Sequence, residues 1–423
     1  MAANKDRASL FLAKYLAGLD ESELEQRLTA KPETPFSRLP RNHKLTDEAV
    51  QARWDVLDLD KAAQAQILDP QTKEQMQVYK KNIENFIGTI KLPIGLAGPI
   101  RVNGLFAQGD YTIPLATTEA ALVASYSRGA QLITRAGGCT AILLNEGVSR
   151  APGFAFNNVH EAGRFSMWVI SNQDKFIEVA ESTTSHGKLI DMRITVEGNH
   201  VYLIFEYSTG DAGGQNMVTI ATDSVVAYII EHTPVQPEYH FVEANLSGDK
   251  KASAQSFSSV RGKKVTTEVH LSKELIKKML HTTPEKMVDY WRMSAMGGVL
   301  SGTIGVQGHY ANGLAAMYIA CGQDAACVAE SSVGVTRFEV NKQGGLYAAV
   351  TMPNLIVGTV GGGTGLPSQR ACLEIMGLAG SGHAQAFAEV TASVALAGEL
   401  SIIGALAAGH FTRAHKNLAR TQK

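Results

Sequence analysis

Lys188-Leu-Ile-Asp-Met-Arg-Ile-Thr-Val-Glu-Gly-Asn-His-Val-Tyr-Leu-Ile-Phe-Glu-Tyr207 alternates apolar and polar residues on both sides of a Glu-Gly-Asn turn. Ile190, Met192, Ile194 and Val196 share one face, and Val201, Leu203, Phe205 and Tyr207 another. A period of two is that of a strand, so the stretch predicts a β-hairpin turning at Glu197-Gly-Asn199. Upstream, Phe165-Ser-Met-Trp-Val-Ile170 reads as a strand and Gln173 to about Ser182 as a helix. Downstream, Met217, Ile220, Ala221, Val225, Tyr228 and Ile229 keep helical spacing, and Tyr239-His-Phe-Val-Glu243 closes with a strand. The order β-α-β-β-α-β over residues 152–241 is the ferredoxin-like pattern.

The flanking sequence is helix-rich, which makes the chain α+β with this small unit inserted in a larger one. Residues 1–75 predict a charged helical segment, broken by Pro32, Pro35 and Pro40. Residues 76–151 and 242–423 form the larger domain. Within it, Thr117-Thr118-Glu119 precedes an apolar run and predicts a capped helix with Glu119 in its first turn. Val265 to Leu271 predicts a strand, Thr283-Pro284 a helix start, and Asn312 to about Glu330 a helix. Thr336–Val340 and Leu346–Thr351 predict a strand pair joined through Gly344-Gly345. Helices are expected again at Gln369–Met376 and over 382–409.

Composition narrows the class. With 45% apolar and 19% charged residues the chain is a folded one, and a net charge of −1 gives no reason to expect nucleic acid or membrane as partner. Four cysteines, Cys139, Cys321, Cys327 and Cys372, are too few and too irregular for a disulfide framework or a zinc site, so no metal is expected and a reducing, cytoplasmic location fits. The first residues lack the apolar stretch of a signal peptide. Val390 to Gly409 is the most membrane-like run, yet it holds Glu399 and many small residues, and predicts a helix buried in the protein or at a subunit interface.

Four stretches bear on chemistry. Asn245-Leu-Ser-Gly-Asp-Lys-Lys251 sets Asp249 beside Lys250 and Lys251 after a flexible Ser-Gly pair. Alone it reads as a solvated turn, but a lysine there can hold a positive charge where a substrate oxygen becomes negative. Ser208-Thr-Gly-Asp-Ala-Gly-Gly-Gln-Asn-Met217 joins a strand to a helix and can offer backbone N–H groups to an anion, or simply turn the chain. Gly358-Thr-Val-Gly-Gly-Gly-Thr-Gly365 has five glycines in eight residues, which suits close approach of a dinucleotide, and no P-loop signature accompanies it. Cys321-Gly-Gln-Asp-Ala-Ala-Cys327 sets Asp324 in an apolar helix, where a buried carboxylate needs a cation and Lys250 is a candidate. His410 and His415 sit in a basic C-terminal tail.

Taken with Glu84-Asn-Phe-Ile-Gly88, Ala116-Thr-Thr-Glu-Ala120, Ser149-Arg-Ala-Pro152, Ala397-Gly-Glu-Leu-Ser401 and Leu406-Ala-Ala-Gly-His410, these motifs in this order resemble the hydroxymethylglutaryl-coenzyme A reductase family from about residue 76 to the end. The wording is closer to the eukaryotic and archaeal class than to the degradative bacterial one. The resemblance implies reduction of hydroxymethylglutaryl-CoA to mevalonate and free CoA with two equivalents of NADPH or NADH. It assigns Lys250 to the thioester carbonyl and oxyanion, Asp324 to keeping Lys250 charged, Glu119 to proton donation, and His415 to the departing CoA thiolate. It assigns Arg150, Asp249, Lys251 and Asn312 to the substrate. It assigns Asp211, Gln215, Asn216 and the loop of Gly358, Thr359, Gly361, Gly362, Gly363 and Thr364 to the cofactor, with the ferredoxin-like unit as cofactor domain. Glu84–Gly88 matches a dimer-interface motif, which implies a homodimer or a tetramer of two dimers, with the active site between subunits.

The chain also departs from the family. Where an arginine often meets the 2′-phosphate of NADPH, it has Ser185, followed by His186 and Lys188, with Arg420 as another possible partner. Glu243 stands where a substrate-binding serine is common, and Thr421 where animal enzymes carry a phosphorylated serine. NADPH is the expected cofactor. NAD-dependent oxidation of mevalonate is the enzymatic alternative. An RNA-binding module using Tyr202, Phe205 and Tyr207 is the non-enzymatic one, although the RNP signature is missing.

Overall fold

The computed structural model describes residues 5–16, 20–35, 38–40, 44–57, 59–184 and 186–409. They fall into two compact units, Met1–Thr89 and Ile90–Lys423. The first holds the helices α1 (Lys5–Leu16), α2 (Glu21–Leu28), α3 (Asp47–Trp54), α4 (Lys61–Ile67) and α5 (Pro70–Glu74). Asp20, Thr46, Asp60 and Asp69 each accept a hydrogen bond from a first-turn N–H, so side-chain caps start four of these helices. Leu45, Val50, Trp54, Met76 and Phe86 form the core of this unit. Arg53 donates to the Phe86 carbonyl at 2.8 Å and Trp54 to the Ile87 carbonyl at 3.0 Å. The Glu84–Gly88 motif is thereby tied to α3.

The second unit runs β1 (Ile94–Gly104), β2 (Gln108–Ala116), α6 (Leu122–Arg135), β3 (Cys139–Arg150), β4 (Gly153–Ala155), α7 (Val159–Ser171), α8 (Gln173–Ser182), β5 (Lys188–Glu197), β6 (His200–Ser208), α9 (Gln215–His232) and β7 (Tyr239–Phe241). It continues with β8 (Gly262–Leu271), α10 (Lys273–Leu280), α11 (Pro284–Ser301), α12 (Tyr310–Ala320), α13 (Val328–Ser331), β9 (Val335–Val340), β10 (Leu346–Leu355), α14 (Pro367–Ile375) and α15 (Ala384–Ala407). It is a mixed helix-and-sheet architecture.

β3 organises the sheet. Its first part pairs parallel with β1 and antiparallel with β8, which leads on to β10 and β9. Its last three residues, Val148–Arg150, pair instead with β6. β6 also pairs with β5 and β4, and β4 with β7, all antiparallel, giving the strand order β7-β4-β6-β5. The predicted hairpin is present in register, with Val196 opposite Val201 and Ile194 opposite Leu203. Arg150 therefore lies where one half of the sheet passes into the other.

α15 explains the membrane-like run. Among the described residues it is the one helix long and apolar enough to cross a membrane, and 83% of its apolar window is buried inside the chain. It is apolar on all sides because it is the core helix. Its approach to α6 is close: a Cβ on Gly129 would stand 1.9 Å from the Ala397 carbonyl oxygen. Its two acids, Glu389 and Glu399, are fully buried and accept backbone hydrogen bonds. Glu389 takes N–H groups from Leu105, Phe106, Ala107 and Leu143, and Glu399 those of Gly308 and His309.

Three expectations fail. Residues 165–170, read as a strand, lie in α7, because Asn158 caps Glu161 N and the buried Ala162, Phe165 and Val169 recur at helical spacing. The strand that precedes the hairpin is β4. Glu119 does not lie in a helical first turn: α6 begins at Leu122 after Ala121 in a left-handed conformation, and Thr117 Oγ1 accepts Glu119 N in the preceding loop. The helix expected from Asn312 to Glu330 stops at Ala320. Gly322, at φ +68°, turns the chain, and Asp324 opens a short 3-10 turn outside any apolar helix.

Candidate active site

The lysine turn is built from local constraints. It leaves β7 through Asn245 and Gly248, both at positive φ, and Lys250 itself has φ +56°. Ser247 Oγ accepts from Asp249 N at 3.2 Å, and Lys251 Nζ reaches back to the Asp249 carbonyl at 2.8 Å. This geometry points the Asp249 carboxylate inward and the Lys250 ammonium away from it. Asp249 accepts from Arg150 Nη1 at 2.8 Å and pairs closely with Arg261. Burial alone would raise the Asp249 pKa, but Arg261, Arg150 and Lys250 bring it below the usual carboxylate range.

Lys250 Nζ lies 2.9 Å from Asp324 Oδ2, and Asp324 Oδ1 accepts from Ala326 N at 2.9 Å. The carboxylate is thus fixed by its own turn while it holds the ammonium. The hydrogen bond to Asp324 keeps the Lys250 pKa above its ordinary value, against a smaller effect of burial. Lys250 is therefore a localised cation, partly open to solvent.

Asp324 also lines a cavity of about 510 Å³ with Gln215, Asn216, Gly358, Gly361, Gly362, Gly363 and Thr364. The two glycine-rich stretches meet here. Asp211 caps the start of α15 by accepting from Gly382 N and Ala384 N, and its carbonyl accepts from Thr359 N. Gly358 packs so tightly on this turn that a Cβ would stand 2.6 Å from Gly213 N. Gln323, unassigned by sequence reasoning though it sits in the Gly-Gln-Asp motif, accepts from Gly358 N at 2.8 Å. By contrast, a Cβ at Gly361 or Gly362 would meet nothing within 4 Å, so there is open space beside these two glycines. α9 starts at Gly214 without a side-chain cap, which leaves its first N–H groups available. The chemistry of this wall fits a pyrophosphate. Met217, at the same wall, touches Thr184 and Gly187, so the segment leading to Lys188 adjoins it.

Glu119 and Asn312 sit elsewhere. Asn312 Nδ2 donates to the Glu119 carboxylate at 3.2 and 3.4 Å, and both line a second cavity, of about 560 Å³, with Tyr126, Arg128, His309 and Leu406. His309 stacks on Tyr126 and faces Glu399 at 3.4 Å. Glu119 is exposed in the single chain. Asn312 is in the first turn of α12, and Asp324 follows its far end. Eleven helical residues span about 16 Å, so Glu119 and Lys250 lie at opposite ends of α12.

Glu243, standing where a serine was expected, contacts Arg150 Nη1 at 3.5 Å and accepts from Ala151 N and Asn245 N. Sequence reasoning missed Arg261 and Glu330, a buried pair at 2.7 Å beneath the lysine turn. A charged residue inside the apolar Cys327–Ser331 segment was the one signal for Glu330. His410, His415, Arg420, Thr421 and Ser185 lie outside the described residues. Phe205 and Tyr207 are buried in the core of the small half-sheet, which removes them as a base-stacking platform. Among the described residues no group of three or more His, Cys, Asp or Glu could hold a metal ion.

Comparison with known proteins gives the family. Residues 49–420 match the family model of hydroxymethylglutaryl-coenzyme A reductase. The chain is 42% identical over 382 residues to the 3-hydroxy-3-methylglutaryl-coenzyme A reductase of Methanothermobacter thermautotrophicus, covering 89% of this chain and 95% of that one. It is 45% identical over 348 residues to the reductase of Pyrococcus horikoshii, covering 80% and 84%. It is 40% identical to reductase 2 of Dictyostelium discoideum, covering 78% and 64%. The fold is shared with the class II reductase of Streptococcus pneumoniae solved with NADPH in open conformations, at TM-score 0.63 and 21% identity over 82% of this chain and 95% of that one. The protein is an oxidoreductase. It belongs to the hydroxymethylglutaryl-coenzyme A reductase family.

Proposed function

We propose that the chain reduces hydroxymethylglutaryl-CoA to mevalonate and CoA, with NADPH as the reductant. The observation that carries this is the Lys250–Asp324 pair at the wall of the glycine-lined cavity. Reduced nicotinamide, when bound, supplies the hydride for each of two reductions. Lys250 polarises the thioester carbonyl and stabilises each oxyanion, and Asp324 holds it charged and in place. Arg150, Asp249, Lys251 and Asn312 bind the hydroxymethylglutaryl part. The Gly358–Thr364 loop, Gln215 and Asn216 hold the dinucleotide, and Asp211 positions that loop by capping α15 and accepting from Thr359 N. Glu119 donates the proton to the aldehyde oxygen. His415, carried over from the family motif, protonates the departing thiolate.

The active unit is a homodimer. Within one chain, Glu119 with Asn312 and Lys250 with Asp324 are incomplete halves at the two ends of α12. Two-fold pairing brings the acid of one chain to the lysine of the other, and cover from the partner removes Glu119 from bulk water, as a proton donor requires. The strand order β7-β4-β6-β5, with α7, α8 and α9 as crossovers, supports an inserted ferredoxin-like cofactor domain over residues 152–241. A cytoplasmic location fits a near-neutral chain in which α15, the one long apolar helix among the described residues, is interior. The test is oxidation of NADPH that depends on added hydroxymethylglutaryl-CoA, run beside NADH. The rate disappears in Lys250→Ala, and an unaltered rate there contradicts the mechanism.

A further inference from the structure

Building on the assignment of Lys250 as the oxyanion-stabilising residue, we propose that the buried Glu330–Arg261 pair is a positioning device that sets the Lys250 backbone and so aims its ammonium. Three observations meet at this point. Lys250 has φ +56°, a left-handed conformation that a residue with a long side chain seldom adopts unless its surroundings hold it there. Glu330 Oε1 accepts from Lys250 N at 3.2 Å, across a wide gap in sequence. Glu330 is fully buried, and its other oxygen takes Arg261 Nε at 2.7 Å.

Arg261 has no freedom to drift. Its Nη1 donates to the Ser149 carbonyl at 2.7 Å, and its Nη2 donates to Gln215 Oε1 at 2.9 Å and to Asp249. One guanidinium therefore reads the end of β3, the start of α9 and the lysine turn together. A planar fork with five fixed donors suits this, and a lysine could not replace it. Glu330 transmits that frame to one atom, Lys250 N. Neither residue touches the cavity occupied in the proposed reaction, so neither is catalytic. The amide of Lys250 is fixed on one side by Glu330, and its ammonium on the other by Asp324. Loss of the first contact lets the backbone leave its strained conformation and shifts the ammonium. A displacement of about 1 Å at a reacting centre can cost a hundredfold in rate.

A purely structural role for Glu330, neutralising the buried Arg261, makes a different forecast, and two conservative variants separate the two. Glu330→Asp keeps the charge but retracts the acceptor from Lys250 N by one methylene. Glu330→Gln loses the charge and has one oxygen for two donors, Lys250 N and Arg261 Nε, so its NH2 must face one of them. Positioning predicts that kcat falls by about tenfold or more in both variants, in Glu330→Asp even though Arg261 stays neutralised, whereas a purely neutralising role predicts a Glu330→Asp enzyme near wild type. KM for NADPH moves less than kcat in Glu330→Asp, because Arg261 keeps its bonds to Ser149 and Gln215. In a crystal structure of Glu330→Asp the Lys250–Asp324 pair is open. Thermal stability falls less in Glu330→Asp than in Glu330→Gln, which separates lost aim from lost folding. A Glu330→Asp enzyme as fast as wild type overturns the proposal. Lys250→Ala is assayed in parallel. An active Lys250→Ala enzyme refutes the role of Lys250 itself, whereas an inactive one beside a fast Glu330→Asp enzyme refutes only the positioning role.

Discussion

Lys250 Nζ stands 2.9 Å from Asp324 Oδ2, and these two residues are joined in space by a break in a helix. α12 ends at Ala320, and Gly322 turns the chain so that Asp324 faces the lysine turn. In the proposed reaction this cation meets the carbonyl oxygen that gains charge, beside the glycine-lined cavity. Fixed positive charge of this kind lowers the barrier without reorganisation during the reaction.

The pH dependence follows from that pair. Asp324 raises the Lys250 pKa, so the ammonium persists to higher pH than an ordinary lysine. In the proposed mechanism the cation is the active form. Asp324→Asn removes both the charge and the strong acceptor, the Lys250 pKa falls, and the alkaline limb of kcat moves to lower pH. A kcat profile on the alkaline side checks this, and an unmoved limb contradicts it.

Gly322→Ala is expected to loosen the dinucleotide site. Its Cβ would stand 2.3 Å from the Gly363 carbonyl oxygen, at φ +68°. Strain of about 1–3 kcal/mol at such a position corresponds to a rise in KM for the dinucleotide of about fivefold to a hundredfold. Initial rates at varied NADPH measure it.

Lys188→Ala tests the phosphate selectivity. Lys188 is exposed on the segment that adjoins Met217. An exposed ion pair is worth about 1 kcal/mol or less, so KM for NADPH rises several-fold while KM for NADH stays constant. Equal effects on both cofactors assign Lys188 no role in reading the 2′-phosphate.

Stability depends on a buried carboxylate remote from the chemistry. Glu389 in α15 accepts N–H groups from Leu105, Phe106, Ala107 and Leu143. Glu389→Ala leaves the buried Ala107 N–H without its acceptor and removes the bonds to the partly buried Leu105, Phe106 and Leu143 N–H groups, at a cost of about 1–3 kcal/mol. Differential scanning calorimetry should show Tm lowered by about 1–4 °C.

Much of the fold was legible because period and punctuation are local. The 188–207 hairpin follows from alternation about a Gly turn, and α15 from its length and apolar character. Residues 165–170 misled because aromatic and β-branched side chains suit both a strand and the buried face of a helix. The cap at Asn158 was the better signal. Glu119 and Asp324 were placed in the wrong local structure, since left-handed Ala121 and Gly322 end or delay helices that propensity alone would continue. The Glu330–Arg261 pair had no local signature. It exists only because β3, α9 and the lysine turn converge, and tertiary convergence leaves no period in a sequence.

The division of each active site between two chains is tested most directly by mixing defects. Glu119→Gln and Lys250→Ala chains, each inactive alone, are co-expressed and the mixed dimers assayed for NADPH oxidation with hydroxymethylglutaryl-CoA. If each site takes Glu119 from one chain and Lys250 from its partner, a mixed dimer has one intact site, and a random mixture recovers about a quarter of wild-type activity. If both residues serve one chain's own site, every site keeps a defect and the mixture stays as inactive as its parents.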